Sequence, residues 1–208
     1  MTLPEGVERR EVDGDEGLAT RGEPVYGEPT EDGWRRWDRS RSKLAVLLGR
    51  EVETGLTADS TVLYLGAASG TTVSHVADVA GPTYAVEFAP RPMRDLVGVA
   101  EDRPNLFPLL KDARTPERYA HVVEPVDLIV QDVAIRGQGE VAVANKQFLR
   151  ADGRLVLAIK ARSEDVTRDP DEVFDDVLET IEAEYEIRYT DGLEPFHEDH
   201  LGVVAEPK

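Results

Sequence analysis

The sequence predicts an α/β fold. It consists of a mostly parallel, Rossmann-like seven-stranded sheet with an antiparallel last strand, preceded by a small β appendage. Three observations carry this. From Thr61 onward, short apolar runs alternate with amphipathic ones, as strands do when helices cover both faces of a sheet. The run Val62-Leu63-Tyr64-Leu65 stops at Gly66, crosses small residues to Gly70 and continues into an amphipathic stretch, which spells strand, tight turn and helix N-terminus. Lastly, Tyr185 to Tyr189 and Leu201 to Ala205 follow each other with only a loop between them, so they form an antiparallel pair closing the sheet edge.

In chain order, residues 1–38 are rich in Gly, Glu, Asp and Pro with short apolar alternations. Asp13-Gly14 is a hairpin-turn signal, so this part is expected to be a small, mostly β appendage. Residues 39–208 form the main domain. Its first element is a helix from Ser40 to Gly49, with Ser40 as the cap, Leu44, Leu47 and Leu48 on one face and Gly49 as the stop. Strands are predicted at Val62 to Leu65, Thr83 to Glu87, Asn105 to Leu109, Val126 to Gln131 and Arg154 to Lys160. Helices are predicted at Thr71 to Val79, Arg91 to Glu101, Gln138 to Leu149 and Pro170 to Glu182. A parallel sheet finished by an antiparallel pair is the usual plan of S-adenosylmethionine-dependent methyltransferases.

Composition sets outer bounds. A chain of 208 residues, 40% of them hydrophobic, has a real core and room for one α/β domain plus an appendage. There is no cysteine, and the four histidines lack ligand-type spacing, so no metal site is expected. No apolar run reaches the ~20 residues of a membrane span, and no secretion signal is evident, which leaves a cytoplasmic protein with no membrane partner. Lys and Arg number 24 against 42 Asp and Glu, a net charge of −18. Taken at face value, that balance repels nucleic acid. The acids are scattered through every segment and lysines are few, which suits instead an acidic surface adapted to high salt. At molar salt the Debye length is ~3 Å, so an RNA substrate stays open.

Ligands of such sheets sit beyond the C-terminal ends of the strands. Gly66 and the turn to Thr71 and Thr72 follow the first strand, where backbone approaches a ligand and a helix N-terminus favours an anion. About twenty residues on, the second strand ends in Glu87-Phe88, and an acid there accepts hydrogen bonds from ribose hydroxyls. Lys111-Asp112-Ala113 follows the third strand, Asp132-Val133-Ala134 the fourth, and Lys160 ends the fifth. Lys43 lies on the helix before the first strand, and His200 opens the last one. These residue types suit methyl transfer to an alcohol. A crowded, partly desolvated lysine can take the hydroxyl proton, and a carboxylate between two lysines orients them. Asp112 fits either a turn cap or a ligand contact. Asp132 at an apolar strand end is costly unless it is paired or functional. His75 and His197 are assigned structural roles. The basic, aromatic cluster Trp34 to Lys43 fits a phosphate-contacting edge. It equally fits tryptophans that dock the appendage; docking is preferred for them, and the arginines are left open.

These residues match a known family. Val25-Tyr26-Gly27-Glu28, Arg41-Ser42-Lys43-Leu44-Ala45, Gly66-Ala67-Ala68-Ser69-Gly70-Thr71-Thr72-Val73-Ser74-His75, Tyr84-Ala85-Val86-Glu87-Phe88 and Asp112-Ala113-Arg114 stand in order. Asp132-Val133-Ala134, Ile159-Lys160-Ala161-Arg162-Ser163 and Glu194-Pro195-Phe196-His197-Glu198-Asp199-His200 complete the set. Over essentially all of residues 25–205 the chain closely resembles the archaeal fibrillarins. The resemblance implies 2′-O-methylation of ribose in rRNA and tRNA, with S-adenosyl-L-methionine as cofactor and sites chosen by a C/D-box guide RNA. It implies a Nop-family scaffold and a kink-turn-binding ribosomal-type protein as partners. It carries cofactor contacts onto Thr71, Thr72, Glu87, Phe88, Asp112, Ala113, Asp132, Val133, Ala134, Ile135 and Gln138, and catalysis onto Lys43, Asp132, Lys160 and His200. The chain departs from the family at Ile135-Arg136-Gly137, where Gln-Pro usually follows Asp-Val-Ala, so the resemblance carries a backbone contact, not a glutamine side-chain contact, onto Ile135. Two alternatives remain: a non-catalytic structural subunit of the guide particle, and a small-molecule methyltransferase of the same fold.

Overall fold

A computed structural model describes residues 3–208. The chain opens with β1 (Glu8–Val12), β2 (Asp15–Arg21), β3 (Thr30–Glu31) and β4 (Trp34–Trp37). Then come α1 (Lys43–Gly49), β5 (Val62–Leu65), α2 (Thr71–Val79), β6 (Thr83–Glu87), α3 (Pro90–Glu101), β7 (Leu106–Leu110) and β8 (Val126–Gln131). The rest comprises α4 (Gln138–Asn145), β9 (Leu149–Lys160), α5 (Ala161–Glu164), α6 (Pro170–Glu182), β10 (Tyr185–Gly192) and β11 (His200–Pro207).

Two sheets result. The first four strands form an antiparallel sheet in the order β1-β2-β4-β3, and its first hairpin turns at Asp13-Gly14, both at positive φ. The other seven lie in the order β10-β11-β9-β8-β5-β6-β7. Strands β5 to β9 are parallel, and β11 runs antiparallel between β9 and β10. Strand β5 has β6 on one side and β8 on the other, so the order reverses at β5, the switch point where such sheets open a ligand crevice.

Two apolar layers cover the sheet. One gathers Leu44 and Leu47 of α1, Val73 and Val76 of α2 and Leu96 of α3, together with Leu18 and Trp37 of the small sheet and Val7 just before it. The other gathers Val141 of α4, Val177 and Ile181 of α6, and Tyr185. The small sheet therefore shares a core with the main domain. Among the described residues, no helix is long and apolar enough to cross a membrane.

Several boundaries differ from the sequence expectation, four of them as follows. Helix α1 is capped by Ser42, not Ser40, whose amide and hydroxyl both bond Asp38 Oδ1 at 2.8 and 2.7 Å. Strand β7 starts one residue late because the Asn105 side chain caps the carbonyls of Ala77, Ala80 and Gly81. Helix α4 tightens into a 3-10 turn over Lys146–Phe148 instead of running to Leu149. Strand β9 begins at Leu149, not Arg154, with a bulge facing β8. A Cβ on Gly153 would lie 2.9 Å from the Asp127 carbonyl, so only glycine fits there.

The basic, aromatic cluster resolves residue by residue. Trp37 docks the small sheet, stacked on the His75 ring at 4.8 Å with its Nε1 donating to Ser42 Oγ. Trp34 does not dock; it packs with Val12 and Ala19 under Arg10 and Arg21. Arg35 is fully buried and pairs with Glu28 and Asp78, so it is closed to a phosphate. Arg36 bonds Asp15 and the Val12 carbonyl, while Arg39 and Arg41 lie over Phe196 and Tyr26.

Candidate active site

The C-terminal ends of β5, β6, β7, β8 and β9 surround a cleft of about 280 Å³. Its closeness starts with Gly66, at φ +85°. A Cβ there would sit 2.6 Å from the Asp132 carbonyl oxygen, so glycine alone lets the ends of β5 and β8 meet. Glu87 is 8% exposed at the end of β6. Its Oε2 accepts from the Ala68 amide at 2.9 Å and its Oε1 from the Ala89 amide at 2.7 Å. Each oxygen keeps a lone pair for a hydroxyl in the cleft.

Most of the expected cofactor contacts line this space: Gly66, Glu87, Phe88, Asp112, Ala113, Asp132, Val133, Ala134 and Ile135. Phe88 stands 62% exposed at its rim. Asp112 does both of the things considered for it. It lines the cleft, and its carboxylate caps the following turn through the Arg114 amide at 2.9 Å; the Arg114 guanidinium beside it lowers its pKa. Thr71 and Thr72 open α2 just behind the glycine turn and are not part of the cleft wall. Gln138 is displaced most from its expected place. It is wholly buried away from the cleft, with both side-chain amide atoms bonded to the backbone of Lys160.

Three of the four expected catalytic side chains converge. Lys160 Nζ lies 2.8 Å from Asp132 Oδ1, off the hydrogen-bonding axis, and donates to the Asp132 carbonyl at 3.2 Å. Lys43 Nζ donates to Asp132 Oδ2 at 3.3 Å. Burial pushes the Asp132 carboxyl up, but Lys160 and then Lys43 more than offset this and hold it below the usual carboxylate range. Asp132 and Lys160 also line the cleft, so the cluster opens into it. His200 stands directly across from Lys160 in the β9–β11 ladder, its Nδ1 donating to the Glu198 carbonyl. Burial lowers its pKa, the neighbouring lysines add to this, and the ring is neutral at pH 7. His197 donates to the Arg39 carbonyl at 2.9 Å, as its structural assignment required.

Local sequence explains the convergence. Lys43 is the first residue of α1, and the Ser42 hydroxyl accepts from the Ala45 amide at 3.2 Å while taking the Trp37 indole N–H at 3.0 Å. The small sheet thus anchors the helix end that carries Lys43. Sequence reasoning missed this link, although Ser42 directly before the apolar run is a helix-start signal. It also missed Tyr64, buried beneath Asp132, whose phenol is raised well above its usual pKa by burial and by that charge.

A switch-point cleft with a glycine turn, an acid on the second strand and an antiparallel closing strand define a methyltransferase of the S-adenosylmethionine-dependent class. The sequence profile of the Fibrillarin family matches residues 10–208, and the chain belongs to that family. A fibrillarin-like rRNA/tRNA 2′-O-methyltransferase of Haloarcula marismortui is 67% identical over 208 residues, covering 100% of this chain and 99% of its own length. Fibrillarin solved in complex with Nop5p superposes with a TM-score of 0.92 at 40% identity over 100% of both chains. Aeropyrum pernix fibrillarin with natively bound S-adenosyl-L-methionine gives a TM-score of 0.88 at 43% identity, covering 99% of this chain and 96% of that one.

Proposed function

We propose that this chain methylates ribose 2′-hydroxyls of rRNA and tRNA at sites selected by C/D-box guide RNA. Its particle contains a Nop-family scaffold and a kink-turn-binding protein. The single observation that carries the reading is Asp132 held between Lys43 and Lys160 at the mouth of the cleft.

The cleft suits S-adenosylmethionine. Glu87 offers two carboxylate lone pairs for a ribose diol, the Gly66 turn admits close backbone approach, and the start of α2 at Thr71 and Thr72 suits a carboxylate. Bound there, the cofactor supplies an electrophilic methyl group on a sulfonium and needs no metal. The protein's share is alignment and proton handling. Asp132, ionised at neutral pH, holds both lysine nitrogens near one point and favours positive charge around a developing alkoxide. Nζ of Lys160, which lines the cleft, is assigned as the group that takes the hydroxyl proton, with Lys43 orienting the oxygen. His200, neutral across the ladder, is the next proton acceptor.

A net charge of −18 leaves little basic surface, so RNA contact is expected to depend on the assembled particle and on salt that screens repulsion. The test is Asp132→Ala in a particle reconstituted with a guide-matched RNA, the modified ribose being mapped with labelled cofactor. Methyl transfer should disappear while cofactor affinity falls only modestly; retained turnover refutes the role given to Asp132.

A further inference from the structure

Lys160 is gripped at its backbone by a side chain that lies outside the cleft wall. The parallel ladder between β8 and β9 ends at Gln131 opposite Leu157, three residues short of Lys160. On that flank no strand of the described residues pairs with it. The Gln138 side chain takes the place of one. Its Oε1 accepts from the Lys160 amide at 2.9 Å and its Nε2 donates to the Lys160 carbonyl at 3.1 Å, the donor–acceptor pair a neighbouring peptide would present. Gln138 is fully buried. Its own carbonyl accepts from Gln131 Nε2 at 2.7 Å, the residue next to Asp132. Glu164, one turn past Lys160, accepts from the Gly137 and Gln138 amides at 2.9 and 2.6 Å. The bonds close a ring from the end of β8, through the start of α4, to the end of β9 and back.

We propose that Gln138 is the positioning residue for Lys160: its amide substitutes for a missing strand and fixes the Lys160 ammonium against Asp132, with Glu164 fixing Gln138. Its effect on turnover rests on the proposed methyl transfer; its effect on the Asp132–Lys160 pair does not. Glutamine is the type required, because it alone combines donor and acceptor at this reach. Glutamate would face the Lys160 carbonyl with a lone pair, and methionine would fill the volume with neither bond.

The test uses the full chain with Gln138→Met and, because a buried change can prevent folding, Glu164→Ala at the half-buried cap. Carboxyl NMR of the free protein follows the titration of Asp132, and the guide particle gives kcat, KM and cofactor affinity. With Lys160 loosened, the Asp132 carboxyl should titrate at higher pH in both variants, less so in Glu164→Ala. A misplacement of about 1 Å should lower kcat about 10- to 100-fold. Cofactor affinity should stay within about twofold, since Gln138 does not line the cleft. An unmoved Asp132 titration in a folded variant overturns the proposal, as does cofactor affinity falling in step with kcat, which would make Gln138 a cofactor ligand. If the wild-type particle methylates nothing, the functional reading fails while the titration still judges the clamp.

Discussion

Asp78 and Asp132 are both part-buried carboxylates gripped by two cations, yet the two clusters are built for opposite ends. Asp78 takes Arg35 Nε at 2.8 Å and Arg103 Nε at 2.9 Å, with cation side chains 0 and 5% exposed. Arg35 continues to Glu28 and to Ser74 Oγ, and Arg103 to the Glu23 carbonyl, so the set is sealed and saturated. It ties the small sheet to α2. Asp132 instead takes two lysines, 14 and 17% exposed, and lines a cleft together with Lys160. Burial wins at Asp78 and raises its carboxyl despite two guanidiniums; at Asp132 the two ammoniums win. Arginine keeps its proton and presents a rigid fork, so it suits a fixed joint. Lysine presents one compact ammonium that can lose a proton, so it suits chemistry.

The largest effect should come from breaking the joint. Asp78→Ala leaves buried Arg103 without a carboxylate and buried Arg35 with Glu28 alone, and removing one partner of such a set costs about 3–5 kcal/mol. Denaturant unfolding at high salt should show that loss, while the folded fraction keeps its turnover. Asp132→Ala should invert the pattern, with turnover gone and stability little changed. If both variants lose stability alike, the two clusters are not different in kind.

Exchanging the cation types sharpens the contrast. Lys160→Arg keeps the charge beside Asp132 but removes a group able to accept a proton, so turnover should fall about 100-fold, in the range ascribed to general base catalysis. Lys43→Arg should cost less, since Lys43 orients rather than accepts. Single-turnover assays in the guide particle decide this, and equal rates for Lys160 and Lys160→Arg would remove lysine from the proton path.

The two clusters were not equally visible in the sequence. Asp132, Lys160 and the Gly66 turn stand at strand ends, and strand ends follow from apolar runs that stop; β5, β6, β8, α2 and α6 fall where the sequence placed them. The Asp78 joint was invisible. Its members come from positions 20 to 103 with no shared period, and only the fold brings them together. A second blind spot was Gln138. The family resemblance implied a cofactor contact there, but side-chain direction is set by packing, and Gln138 turns inward to Lys160. The bulged start of β9 was lost for a similar reason, since Asp152-Gly153 looks like a turn in sequence and becomes a kink within a strand.

The small sheet also reaches the Asp132 cluster, through Trp37, Ser42 and Lys43. Ser42→Ala removes the cap of α1 and leaves the buried Trp37 N–H without its acceptor. The two losses together should cost about 2 kcal/mol. Turnover should fall more than in a surface-cap control, because Lys43 begins the freed turn. A stability loss with wild-type turnover would confine the link to folding.

The gentlest probe of the joint is pH, through His75. The ring is buried, stacked on Trp37, with Thr20 Oγ1 at 2.6 Å from Nδ1 and Tyr26 Oη at 3.1 Å from Nε2. Burial, then Arg35 and Arg103, lower its pKa well below the usual value of 6.5. In the unfolded chain His75 gains a proton as pH falls through 6.5; in the folded chain it does not. Stability is therefore complete above that value and declines below it, by at most about 1.4 kcal/mol per pH unit, until the folded group titrates. His197 and His200 are lowered too and act in the same direction, whereas the raised carboxyl of Asp78 opposes the trend at lower pH. The difference between wild type and His75→Gln isolates the one ring. Unfolding free energies measured between pH 7.5 and 5.5 at constant salt should fall more steeply for wild type, and parallel curves would mean that His75 is protonated in the folded joint.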